Sequence, residues 1–188
     1  METLLVSTGV VALAEIGDKT QLLSLMLAAR HKRPWPIIAG IFIATLANHA
    51  LAGALGAWLT RLLGPDPLRW IAGLSFIAMA GWSLVPDKLE GAGGRFERLG
   101  VFWTTVVLFF LVEMGDKTQV ATVVLAARFN AFAPVVLGTT LGMMIANAPV
   151  VLLGEALARR IPVKIIRGVA AAAFAALGVA ALLGPNLA

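Results

Sequence analysis

Glu15-Ile-Gly-Asp-Lys-Thr-Gln21 stands near the start of the chain and returns 98 residues later as Glu113-Met-Gly-Asp-Lys-Thr-Gln119, identical at six of seven positions. The likeness runs outward from both copies. At the same offset Leu27-Ala-Ala-Arg30 repeats as Leu125-Ala-Ala-Arg128, and Gly40 as Gly138. Ala47-Asn48 recurs as Ala146-Asn147 after a slip of one residue. Agreement this dense marks an internal duplication, and each copy sets two acids and a lysine inside apolar surroundings.

Those surroundings decide the class of protein. Of 188 residues, 60% are hydrophobic and 13% charged, where a soluble domain carries about a quarter charged residues. Mean hydropathy is +0.91. A soluble domain of this length still exposes roughly 30% of the surface of its unfolded chain, too much to hide so many apolar side chains. The composition therefore predicts an all-α membrane protein. The chain has no Cys, which excludes disulfide scaffolds, zinc-thiolate sites and thiol catalysis. The net charge of +5 is spread in short clusters between apolar stretches, without the interleaved aromatics of a nucleic-acid surface. Nucleic acid is thereby excluded as a partner, and membrane lipid is the expected surrounding.

A membrane helix needs about 20 mostly apolar residues. Trp35–Leu59, Trp70–Pro86, Ala131–Gly154 and Gly168–Ala188 meet that length without a formal charge, His49 being neutral. Two further stretches are interrupted: Thr3–Ala14 and Thr20–Ala29 flank the first motif, and Leu99–Val112 and Thr118–Ala127 flank the second. Each joined whole spans a bilayer, so the sequence predicts six transmembrane helices. Met1-Glu2-Thr3 lacks the basic start of a secretory signal, so the first span is expected to be retained. Loops after spans one, three and five hold ten Lys and Arg against three on the opposite side. This positive-inside bias puts both termini outside and the Asp87–Gly100 loop in the cytoplasm.

Three spans per copy is an odd number, so the second copy must enter the membrane from the opposite side. The expected organisation is a first three-helix repeat at residues 1–86, a cytoplasmic linker at 87–100 and an inverted second repeat at 101–188. Secondary transporters with inverted repeats bind substrate at the midplane, where the halves meet.

Each motif Glu lies roughly 17 Å into its span at 1.5 Å per residue, about half of a ~30 Å hydrocarbon core. A helix running through the motif would put Glu15 with Asp18, and Glu113 with Asp116, on one face as i, i+3 pairs. A carboxylate at that depth costs about 2.5–3.5 kcal/mol on insertion scales. Four are expected to persist only by facing each other, a cavity or a cation. With Lys19 and Lys117 the two motifs sum to −2, which one divalent cation or two protons would neutralise. Gln21, Gln119, Thr20, Thr118, Asn48 and Asn147 supply further oxygens, and an all-oxygen set suits Ca²⁺, Mn²⁺ or Mg²⁺ over Cu(I) or Zn²⁺. Gly17 and Gly115 weaken the helix by about 1 kcal/mol each and favour local unwinding. Lys19 and Lys117 either keep the carboxylates ionised or stand in for the cation. Asn48 and Asn147 serve either as ligands or as interhelical hydrogen bonders. His49 has Ala148 as its repeat partner and is expected to pack or hydrogen-bond.

The doubled Glu-x-Gly-Asp-Lys-Thr motif, one per three-helix half, resembles that of the Gdt-type calcium/manganese:proton antiporters within the lysine-exporter superfamily. The resemblance spans the whole chain and implies six helices with pseudo-two-fold symmetry. It implies cation binding by Glu15, Asp18, Glu113 and Asp116, and export of Mn²⁺ or Ca²⁺ from the cytoplasm in exchange for protons. The metal is then transported substrate and no cofactor or enzymatic activity is expected; the bacterial plasma membrane is the expected location, and a homo-oligomer is compatible with it. The competing readings are a passive cation channel, an exporter of an organic cation and, less favoured, an intramembrane aspartyl protease. Proton movement coupled to metal separates antiport from downhill flux. The protease needs one acid per helix, where each motif here carries two beside a lysine.

Overall fold

The computed structural model describes residues 1–85, 99–154 and 162–183. The expected linker 87–100 falls almost wholly outside them, as do the basic residues and Glu90, Glu97 and Glu155 of the loops at 86–98 and 155–161. The described residues form eight α-helices and no strand: α1 (Glu2–Glu15), α2 (Lys19–His31), α3 (Pro34–Leu62), α4 (Pro65–Ser83), α5 (Gly100–Glu113), α6 (Lys117–Phe129), α7 (Phe132–Leu153) and α8 (Val163–Leu183). Every helix of the first four starts 98 residues before its counterpart among the last four. The duplication is thus kept helix by helix, even where identity has faded.

Composition explains where the helices start and stop. Prolines stand in the first turns of α3 and α4, where the missing N–H costs nothing. α2 and α6 end on left-handed residues, Lys32 and Asn130, which terminate a helix while satisfying its last carbonyls. Each motif interrupts a run of helix. α1 stops at Glu15 and α2 resumes at Lys19, with Gly17 at φ +83°. α5 stops at Glu113 and α6 resumes at Lys117, with Gly115 at φ +79°. Only glycine adopts that left-handed backbone without a Cβ penalty. The unwinding expected at the two glycines is therefore present, and it removes the expected helical i, i+3 pairing. Glu15 closes one helix and Asp18 caps the next.

Three of the helices, α3, α7 and α8, are long and apolar enough to cross a membrane, and α5 is a shorter apolar helix. At 29 residues α3 is about 43 Å long. Of the Trp70–Pro86 stretch, expected as an uncharged span, residues 70–83 lie in α4 and Pro86 lies outside the described residues; the helix begins five residues earlier than the stretch and carries Asp66 and Arg69 in its first turns. α1, α2 and α6, at 14, 13 and 13 residues, are too short to cross singly.

The packing crosses between the halves. α1 lies along α7, and its counterpart α5 lies along α3; α4 packs on α8, and α3 on α7. The contacts use the same positions in each half. A Cβ on Gly40 would lie 2.7 Å from Thr105 Cβ and 2.9 Å from the Phe102 carbonyl oxygen. A Cβ on Gly138 would lie 2.9 Å from Ser7 Cβ and 2.6 Å from the Leu4 carbonyl oxygen. Glycine there lets two helix backbones touch, the usual device where lipid offers no hydrophobic drive for association. Phe76 and Phe174, again 98 apart, stack at 6.2 Å between α4 and α8. The core next to α1–α3 is built of Val11, Leu23, Leu27, Ile37, Ile41, Phe109 and Met143. This packing holds the two helix breaks side by side.

Candidate cation site

The two breaks meet in the protein interior. Glu15, Asp18, Glu113 and Asp116 are all 0–1% exposed, so the four motif acids occupy one buried region. Carboxylate oxygens of Glu15, Glu113 and Asp116 lie within 4.8 Å of one another.

The lysines cross over. Lys117 Nζ sits 2.5 Å from Asp18 Oδ1, and Lys19 Nζ sits 2.7 Å from Asp116 Oδ1. Each lysine therefore neutralises the aspartate of the other repeat. Bringing them together is the work of the tertiary packing, since within one motif Asp and Lys are adjacent in sequence. Asp18 and Asp116 are also the N-cap residues of α2 and α6 but make no side-chain capping bond. Their carboxylates instead reach across the site to the lysines of the opposite repeat.

The glutamates are held from within their own motif. Thr20 Oγ1 donates to Glu15 Oε2 at 2.5 Å, and Thr118 Oγ1 donates to Glu113 Oε1. Each hydroxyl takes one oxygen and leaves the other open: Glu15 Oε1, Glu113 Oε2 and also Asp116 Oδ2 are buried with no hydrogen-bond partner among the described residues. Buried carboxylate oxygens normally have partners, and orphaned ones mark a place where an ion, water or proton belongs. Both glutamates moreover stand at helix C-termini, whose partial negative charge attracts a cation.

The amides brace the breaks. Gln21 Oε1 accepts the Gly17 N–H at 2.9 Å and its Nε2 donates to the Ala146 carbonyl at 3.0 Å. Gln119 Oε1 accepts the Gly115 N–H at 2.7 Å and its Nε2 donates to Asn48 Oδ1 at 3.1 Å. Each Gln oxygen keeps one lone pair beyond its backbone bond. Asn48 goes on to donate to the Phe110 carbonyl at 3.0 Å, and Asn147 accepts from Ser24 Oγ at 2.8 Å and donates to the Met143 carbonyl at 3.1 Å. Both asparagines thus make interhelical hydrogen bonds. His49 is wholly buried and neither ring nitrogen has a partner among the described residues. Ser24 and Arg167 escaped the sequence reading. Ser24 was legible as a polar residue in an apolar helix with Thr122 as its repeat counterpart; Arg167, which donates to the Gly17 carbonyl at 3.0 Å, was counted only as a topology signal.

A helical protein with apolar spans and a buried cluster of acids at paired helix breaks belongs with membrane proteins that handle cations. Comparison with known proteins makes this specific. The chain belongs to the divalent cation/proton antiporter GDT1 family, whose pattern it matches over residues 3–91 and 101–186. A Vibrio cholerae protein named "Putative manganese exporter" is 53% identical over 93% of this chain and 87% of its own length. Arabidopsis thaliana GDT1-like protein 3 is 27% identical over 99% of the chain and 72% of its own length. A GDT1-like protein of Synechocystis is 28% identical over 83% and 84%. No solved structure matches the chain. The family is one of transporters, for which the divalent metal is substrate and not cofactor.

Proposed function

We propose that this chain exports a divalent cation, Mn²⁺ first and Ca²⁺ next, from the cytoplasm in exchange for protons. One observation carries the reading. Once Lys117 pairs with Asp18 and Lys19 with Asp116, the remaining charge of −2 rests on Glu15 and Glu113, each with one buried oxygen open. One divalent ion or two protons complete that pair, and neither leaves charge behind. Glu15, Glu113 and Asp116 are the first ligands, with Asp18 held beside them by its lysine and the remaining lone pairs of Gln21 and Gln119 within the motif. Thr20, Thr118, Asn48 and Asn147 position them; Lys19 and Lys117 pair with the aspartates. All-oxygen ligation suits Mn²⁺ and Ca²⁺, and the name of the Vibrio relative supports placing Mn²⁺ first.

Competition for the same oxygens supplies the coupling. Moving a divalent ion out against an inside-negative potential costs about 4.6 kcal/mol per 100 mV, which two inward protons cancel. The organisation that fits is six spans in two inverted repeats, 1–86 and 101–188, joined by a cytoplasmic linker at 87–100. α1 with α2, and α5 with α6, then form the broken spans. Both termini lie outside a bacterial plasma membrane.

Proteoliposomes loaded with a pH-sensitive dye test this directly. Added Mn²⁺ is expected to drive proton release, with Ca²⁺ weaker and Mg²⁺ weaker still. Glu15→Gln and Glu113→Gln should each lower the exchange at least about a hundredfold, the cost of roughly 3 kcal/mol for a missing buried charged ligand. Downhill Mn²⁺ flux without proton movement would favour the channel reading, and full exchange in both variants would overturn the scheme.

A further inference from the structure

The two halves match at every helix start, yet they differ at the two breaks. Gly17 is covered. Its carbonyl accepts a hydrogen bond from Arg167 Nη2 at 3.0 Å, and a Cβ placed on it would lie 2.4 Å from Val163 Cγ1. Val163 and Arg167 are i, i+4 neighbours on the first turns of α8, so a single helix face closes over this break. A Cβ placed on Gly115, its counterpart, would meet nothing within 4 Å among the described residues, and Met114 beside it is 56% exposed.

A counterpart of Arg167 is nonetheless in the chain: Arg69 precedes it by 98 positions. Among the described residues Arg69 makes no hydrogen bond to the second break: its guanidinium lies 5.9 Å from the Trp70 ring centroid, and its buried Nε has no hydrogen-bond partner among them. The ion pairs follow the same asymmetry: Lys117, paired with Asp18 beside the covered glycine, is 4% exposed in its side chain, whereas Lys19, paired with Asp116 beside the uncovered one, is 21% exposed.

We infer that Arg167 and Arg69 are alternate latches, each closing one side of the cation site by donating a hydrogen bond to the carbonyl of its motif glycine, Gly17 or Gly115. The inference rests on the antiport reading with inverted repeats, in which the two access states are related by exchanging the roles of the halves. In the state described, Arg167 holds Gly17 and the Gly115 side is open. In the other, Arg69 leaves Trp70 to hold Gly115 and Arg167 releases Gly17. A protein with a covered and an uncovered copy of one motif stores both arrangements in the same sequence. A guanidinium is suited to the task because it stays charged at every working pH and its donors are fixed in a plane. Both arginines are positioning residues: they act on the backbone of the break and leave the ligands alone.

The chain has no cysteine, so V163C reports alone on the covered side. In nanodiscs, with both faces open to a water-soluble maleimide, R167M keeps the side-chain bulk and removes the donor. V163C labelling should then speed up about tenfold, as loss of one hydrogen bond from a charged donor predicts. R167K, which keeps a donor, should restore slow labelling. R69M removes the latch of the other state, so V163C should label more slowly than in the parent. Turnover of Mn²⁺/proton exchange should fall in R167M and in R69M, while equilibrium Mn²⁺ binding stays within about threefold because no ligand is touched. Labelling that R167M leaves unchanged, or labelling in R69M no slower than in the parent, overturns the latch; the R69M arm decides alone if R167M does not fold. A parent that labels as expected but exchanges no protons for Mn²⁺ overturns the antiport reading instead.

Discussion

The buried lysines and aspartates are worth more as a crossed pair than singly. Lys117 and Asp18 are almost completely withdrawn from solvent, and removing one partner of such a pair typically costs about 3–5 kcal/mol, because the other charge stays behind uncompensated. Lys117→Met should therefore lower the thermal unfolding midpoint of the purified protein sharply, and Asp18→Asn added to it should recover much of the loss. Lys19→Met, which removes a partly exposed side chain, should cost less. A Lys117→Met protein as stable as the parent would mean that Asp18 does not depend on this lysine. The motif Glu, Asp, Lys and Thr were legible from the chain because apolar neighbours make every polar residue conspicuous. Which lysine serves which aspartate was not legible: adjacent residues in sequence compete with residues 97 and 99 apart, and only packing chooses.

Helix ends and helix contacts carry a second group of expectations. Gly17 and Gly115 share a left-handed φ, so Ala at either should cost about 1 kcal/mol in backbone strain. At Gly17 the new methyl also meets Val163, adding about 1–3 kcal/mol of overpacking. Denaturation of the two variants side by side should find Gly17→Ala the less stable; equal stabilities would show that Val163 moves aside freely. Gly40→Ala drives a methyl against the Phe102 carbonyl and Thr105. Backbone cannot yield as a side-chain tip can, so this variant is expected to lose about 1–3 kcal/mol, measured as a lowered unfolding midpoint. The breaks at the motifs followed from the glycines and acids on the page. The start of α4 at Pro65 did not, since its apolar run is joined to a charged first turn and the two are one helix.

For the molecule as a whole, the charge arithmetic predicts electroneutral exchange. If two protons replace one Mn²⁺, a potential of 100 mV imposed with potassium and valinomycin should leave the exchange rate nearly unchanged, because each uncompensated charge would feel about 2.3 kcal/mol. A rate that changes several-fold with the potential would show that net charge moves and that one proton, or three, is exchanged. The crossed packing of α1 on α7 and α5 on α3 adds a consequence: a disturbance in one repeat is felt at the other's motif, so the halves are expected to change state together.

Reading the chain alone was enough for the helical class, the duplication, the motif acids and the glycine breaks, because each depends on composition or on a spacing of a few residues. The pairing of each lysine with the opposite repeat, the open oxygens left on Glu15, Glu113 and Asp116, and the covering of Gly17 but not Gly115 came only with the packed chain. They depend on contacts between residues tens to more than a hundred positions apart. Two nearly identical motifs cannot encode a difference between themselves, so that difference has to arise from how α4 and α8 settle around them.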